Sequence, residues 1–264
     1  MTKHKVRFVA YTLFGQDPAV NQFTFKQKTG LLGGLSRRLF RCAGMAFGIL
    51  IGAMSLFGIH DAQAADKAAD NAANSAADNA PQTLMLYGDS LMAGYGLSHE
   101  DGFAPRLEAA LRDAGHNVKV INSSVSGDTT AAGLSRLEWA LVDDPDIVLL
   151  ELGANDALRG VEPSQTRENL DEIIGKLRDR DVAVLLAGMM APPNMGKEYG
   201  AEFNEIYPEL AAEYQLAFYP FFLDGVAADS SLNQDDGIHP NADGVKIIVE
   251  RILPKVIDVL EADS

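Results

Sequence analysis

A serine that closes a short apolar run and a histidine three residues behind an aspartate are the residues whose types and spacing could do chemistry. The serine is Ser90, in Leu84-Met85-Leu86-Tyr87-Gly88-Asp89-Ser90-Leu91. The histidine is His239, in Asp235-Asp236-Gly237-Ile238-His239-Pro240. A serine hydroxyl is a poor nucleophile at neutral pH and needs an adjacent base, most often an imidazole. Beyond residue 64 the chain offers only His99, His116 and His239. His99 lies in the charged run Ser98-His99-Glu100-Asp101, and His116 follows Gly115 between a helix and a strand. By elimination His239 is the candidate base. Taken singly, Ser90 reads equally well as a helix cap, and a loop histidine such as His239 is more often structural or solvated than catalytic; the pairing favours chemistry.

Asp236 stands three residues before His239, a spacing that can bring its carboxylate beside the imidazole. A carboxylate there holds the Nδ1 proton, aims the other nitrogen at the serine and stabilises the imidazolium. Asp235, four residues away, is a rival that spacing leaves open, and an acidic helix cap is the non-catalytic reading of either. An acyl-transfer intermediate also needs donors for its oxyanion. The Ser90 backbone N–H, the Gly127 backbone N–H and the Asn155 side-chain amide are candidates. Losing one such donor costs about 2.7–4 kcal/mol of transition-state stabilisation.

The elements that must position these residues alternate. Apolar runs predict strands over 84–87, 118–121, 147–152, 182–187 and, more weakly, 216–219. Helical periodicity predicts helices over 103–115, 130–142, 163–180, 199–214 and 242–260, with Asp128 or Thr129 capping the second. The segment 224–240 looks irregular. This rhythm predicts an α/β fold: a three-layer sandwich with a five-stranded parallel sheet and helices on both faces. Right-handed crossovers put all strand carboxyl ends on one edge. Ser90, Gly127 and Asn155, following strands one, two and three, should gather there.

Gly88-Asp89-Ser90-Leu91, Gly127, Gly153-Ala154-Asn155-Asp156 and Asp236-Gly237-Ile238-His239 resemble, in order, the four blocks of the GDSL, or SGNH, hydrolase family. The segment 191–214 and Asp235-Asp236-Gly237-Ile238-His239-Pro240-Asn241 resemble one branch of it. That branch is the bacterial periplasmic esterases that act as acyl-CoA thioesterase, lysophospholipase and arylesterase. The resemblance spans about 84–239. It implies an SGNH (flavodoxin-like) fold, with Ser90 as nucleophile, His239 as base, Asp236 as its orienter, and Ser90, Gly127 and Asn155 as the oxyanion hole. It implies no metal and no organic cofactor. The serine at the start of the domain and an Asp and His three residues apart set the pattern apart from the Gly-x-Ser-x-Gly elbow.

The first 64 residues differ from the rest. They hold eight Lys or Arg and two acids, then an uncharged stretch over 42–59, then Ala62-Gln63-Ala64. Basic, apolar and small-residue regions in that order predict a secretory signal peptide cleaved after Ala64, and a periplasmic or secreted enzyme. The competing transmembrane anchor is disfavoured because the run is short for a span of about 20 residues and is broken by glycines. Ser36-Arg37-Arg38-Leu39-Phe40 resembles a twin-arginine signal, although nothing downstream demands a prefolded cofactor. Residues 65–82 form an Ala/Asp/Asn tract too poor in large apolar side chains to build a core, expected to be a disordered tether. Residues 83–264 are the size of one domain.

The chain's 22 basic and 37 acidic residues become 14 and 35 once 1–64 are set aside, a net charge of −21. Such a charge opposes nucleic acid and anionic membrane surfaces as partners. The only cysteine, Cys42, falls in the expected signal, so the mature chain should carry no disulfide. A monomer acting on a small acyl ester or thioester is expected, with no stable membrane insertion after cleavage. Three alternatives compete. A nucleotide-binding module built on Gly94-Tyr95-Gly96 lacks a completed Gly-x-Gly-x-x-Gly and a P-loop lysine. A metal site at Asp235, Asp236 and His239 lacks a second nearby histidine. An esterase of the same fold acting on acetylated carbohydrate differs only in substrate.

Overall fold

Strands with no polar side to show water must be covered on both faces, and three of the five strands here are of that kind. A computed structural model describes residues 80–263. Its strands are β1 (Gln82–Tyr87), β2 (Val118–Asn122), β3 (Ile147–Leu150), β4 (Ala183–Ala187) and β5 (Ala217–Tyr219). They form one sheet in the order β2-β1-β3-β4-β5 with every pairing parallel. Leu84–Tyr87, all of β3 and Val184–Ala187 are buried. The edge strands β2 and β5 are only partly covered.

The helices are α1 (Ser90–Ala93), α2 (Phe103–Asp113), α3 (Thr130–Ala140), α4 (Ala154–Arg159), α5 (Pro163–Arg178), α6 (Lys197–Tyr214) and α7 (Ala242–Ala262). Helix α2 packs against α7, while α3 packs against α5 and α5 against α6. With right-handed crossovers these two groups cover opposite faces, giving the expected three layers. After β1 the chain steps outward to β2, then returns past β1 to β3. This reversal makes the carboxyl ends of β1 and β3 the switch point where open α/β sheets take ligands. Ser90 follows β1 and Asn155 follows β3.

Several boundaries differ from the expectations. β1 begins at Gln82, because its backbone N–H donates to Asn117 O (3.0 Å) and its side chain to Leu260 O (3.2 Å). β3 ends at Leu150, and a short helix, α4, appears where a loop was expected. Helix α3 stops at Ala140 and a 3-10 turn, Leu141–Asp143, follows. Its cap is Thr129, whose hydroxyl accepts from Ala132 N (3.3 Å). Helix α6 begins at Lys197, two residues early. The expected signal peptide and most of the tether lie outside the described residues.

Candidate active site

The irregular segment before α7 folds back on itself to present His239. Asn233 bridges Pro240, Gln234 N–H donates to His239 O (2.7 Å), and Asn241 N–H donates to Leu232 O (2.9 Å). Gly237 takes a φ of +69°, the left-handed conformation that closes the turn. The turn delivers the imidazole to the carboxyl end of β1. His239 Nε2 lies 2.9 Å from Ser90 Oγ, although 149 residues separate them. His239 Nδ1 lies 2.7 Å from Asp236 Oδ2. A carboxylate only accepts, so Nδ1 carries the proton and Nε2 is left to accept from the serine hydroxyl. Asp236 Oδ1 also accepts from the backbone N–H groups of His239 (3.0 Å) and Ile238 (2.9 Å). The His239 N–H, then the imidazole, then the Ile238 N–H hold the Asp236 carboxyl down at about 2. Spacing left Asp235 as a rival; the carboxylate at the ring belongs to Asp236. His99 is exposed and His116 half-buried, neither at this site. Among the described residues no three His, Cys, Asp or Glu side chains gather as metal ligands.

Ser90 is the first residue of α1, where backbone N–H groups have no intrahelical acceptor. Asp89 caps that helix, accepting from Leu91 N–H (3.0 Å). The same carboxylate accepts from Asn155 Nδ2 (3.0 Å), which fixes the Asn155 amide one residue from Ser90 and leaves its second N–H for a ligand. Gly127 turns with a φ of +87°, and its carbonyl is held by Arg159 Nη2 (2.8 Å). The three sequence-derived donor positions thus follow β1, β2 and β3 on a single edge of the sheet.

Four supporting side chains were not anticipated. Arg136 donates from Nε to Asp128 (2.5 Å), from Nη1 to Ser123 O (2.5 Å) and from Nη2 to Gly88 O (3.3 Å). Its guanidinium also lies 4.1 Å from the Tyr87 ring centre. One cation therefore ties the Ser90 turn to the Gly127 loop. Asp156, fully buried, accepts from Thr130 N (2.8 Å) and Thr130 Oγ1 (2.5 Å), pinning the start of α3 beside α4. Glu151, also fully buried, takes the Asp89 N–H on Oε2 (3.4 Å), while its Oε1 has no partner. Burial pushes the Glu151 carboxyl well above the usual range, and the neighbouring Asp89 charge pushes it further. Burial lifts Asp89 to about 6, opposed by its bonds from Leu91 and Asn155. The fourth is Tyr95, whose ring centre lies 4.5 Å from that of His239. A lone acid inside the apolar run 147–152 was the available signal for Glu151; for Arg136 the sequence carried none.

Known proteins resemble this chain in sequence and in fold. Residues 86–247 match the model of the GDSL-like Lipase/Acylhydrolase family. The chain is 40% identical over 182 residues to a protein named Esterase TesA from Pseudomonas aeruginosa, covering 69% of this chain and 90% of the relative. A crystal structure of TesA superposes with a TM-score of 0.65, covering 67% of this chain and 99% of that one. An Arylesterase of Vibrio mimicus is 41% identical over 179 residues, covering 67% and 90%. Thioesterase 1/protease 1/lysophospholipase L1 of Escherichia coli is 38% identical over 186 residues, covering 70% and 88%. The segment matched by the family model contains Ser90, Gly127, Asn155 and the Asp236–His239 turn. This chain belongs to the GDSL-like lipase/acylhydrolase family.

Proposed function

We propose that the protein is a serine esterase that hydrolyses acyl esters and thioesters through an acyl-enzyme on Ser90. The hydrogen-bonded line Ser90–His239–Asp236, at 2.9 and 2.7 Å, carries this reading. Ser90 Oγ attacks the acyl carbonyl while His239 Nε2 takes its proton. The carbonyl oxygen becomes an oxyanion, held by the N–H groups of Ser90 and Gly127 and the free N–H of Asn155. His239 returns the proton to the leaving oxygen or sulfur as its bond to carbon breaks. Water, deprotonated by His239, then attacks the acyl-enzyme and releases the acid. Asp236, ionised throughout, orients the imidazole and stabilises its charged form.

Relatives named for arylesterase, thioesterase and lysophospholipase activity support the breadth of acyl substrates. Small esters and lysophospholipids are the natural substrates of this reading. The basic, apolar and small-residue sequence at the amino terminus favours a periplasmic or secreted location, where acyl-CoA is scarce. Labelling with a fluorophosphonate tests the mechanism. The adduct should map by peptide mass spectrometry to Ser90, and Ser90→Ala should lose both labelling and at least about 10⁴-fold in turnover. Label on another residue, or activity surviving in Ser90→Ala, would overturn it.

A further inference from the structure

Nothing in the acyl chemistry above requires Tyr95, yet its loop is tightly fixed. Gly94 and Gly96, on either side, adopt φ of +79° and +74°, conformations that disfavour any residue with a Cβ. Gln234 Nε2 donates both to Tyr95 O (2.8 Å) and to Pro240 O (2.9 Å), tying this loop to the residue after His239. The Gln234 side chain also packs over Gly96 so closely that a Cβ there would collide with it. The Tyr95 ring meets the His239 ring with centres 4.5 Å apart and planes 38° apart. Even so, Tyr95 is 52% exposed. Tyr87, Tyr199, Tyr207 and Tyr214 each donate their hydroxyl to an acceptor. Among the described residues none takes the hydroxyl of Tyr95, nor that of half-buried Tyr219. The fold therefore holds an aromatic face rigid and half-bare beside the base.

The reaction dictates what passes there. When the tetrahedral intermediate collapses, the leaving oxygen or sulfur must receive its proton from His239 Nε2. The leaving group consequently lies on the imidazole side of Ser90, within reach of the exposed Tyr95 ring. The acyl group remains bonded to Ser90 and is common to every ester of one acid. We propose that Tyr95 is a specificity-determining residue that recognises the leaving group, favouring flat aromatic alcohols and thiols by ring stacking. The proposal rests on the roles given above to Ser90 and His239. A ring that only buttressed the imidazole would affect all esters of one acid alike.

That difference is measurable with two acetates, 2-naphthyl acetate and trifluoroethyl acetate, assayed on the full chain and on Tyr95→Ala, Tyr95→Leu and Tyr95→Phe. The readout is the ratio of kcat/KM for the aryl over the alkyl ester, relative to the unsubstituted protein, so that intrinsic reactivity cancels. The ratio should fall about tenfold in Tyr95→Ala and Tyr95→Leu, and stay within about twofold in Tyr95→Phe, which keeps the ring. An unchanged ratio in the Ala and Leu variants, with both esters slowed together, would overturn leaving-group recognition. So would a ratio lost equally in Tyr95→Phe, since the ring would then not be the cause. Ser90→Ala, assayed alongside, separates the two readings: hydrolysis persisting there would sink the site assignment itself and this proposal with it.

Discussion

Asp236 shows how much one carboxylate does when both its oxygens are engaged. Oδ1 receives two backbone N–H groups and Oδ2 the imidazole. Because its carboxyl sits at about 2, below its ordinary value of 3.8, its contribution to stability is present above that ordinary value. It is lost as pH falls through about 2. Over the working range it is an anion, so the acid limb of the rate profile does not report Asp236. Asp236→Asn should lower kcat about 10⁴-fold near neutral pH, because an amide cannot hold the correct tautomer. A kcat–pH series on an aryl ester checks this; a variant keeping a tenth of the rate would mean that another group orients the ring. Residue type and spacing made Ser90, His239 and the Asp legible in the sequence. Choosing Asp236 over Asp235 needed the turn, since only the fold decides which of two neighbours on an irregular segment faces the ring.

At the level of elements, the seam between β1 and β3 sets the site. Gly88 passes Glu151 so closely that an added Cβ would lie 2.7 Å from its Oε2. Two acids, Asp89 and Glu151, share that seam. Asp89 has the Leu91 and Asn155 donors to sustain a charge; Glu151 has one long bond and an empty oxygen. Glu151 is thus the member of the pair that keeps its proton. Its folded pKa is raised above its unfolded value. As pH climbs past about 4.5 the unfolded chain releases the proton and the folded one retains it, so stability declines until the folded group ionises. Asp89 contributes a similar decline only up to about 6. In the interval above about pH 6, a decline that continues is therefore Glu151's. Glu151→Gln, a neutral group of the same shape, should flatten the decline in denaturant midpoint over that interval; the same slope in both proteins would mean that Glu151 is ionised. The hydrophobic pattern located the strands but was silent on this pair, because apolar periodicity reports which face is buried and not how a buried acid is satisfied. Helix α4 was illegible for another reason. At six residues it is too short for periodicity, and it starts from Gly153 at a φ of +119°, where a side chain would strike Tyr207.

Across the whole molecule, polarity and charge divide the labour of substrate choice. Tyr95, Val125, Leu158 and Met190, exposed large apolar side chains, each follow a different one of the first four strands, and exposed Ile238 precedes His239. They give the catalytic edge an apolar rim suited to acyl chains and rings. The chain is also acidic: residues 65–264 carry 14 basic and 35 acidic side chains. A neutral ester meets only the rim, whereas acyl-CoA brings phosphates into a negative field that slows its approach. Added salt screens that repulsion within about 10 Å at 0.1 M. Raising ionic strength from about 0.02 to about 0.3 M should therefore increase kcat/KM for acyl-CoA several-fold and leave that for a neutral ester of the same acyl chain nearly unchanged. The effect belongs in KM, since charge acts on encounter and not on the bond being broken. A fall in acyl-CoA turnover with salt would show the opposite, that a basic patch within the acidic whole captures the phosphates, and CoA thioesters would then rank among the preferred substrates.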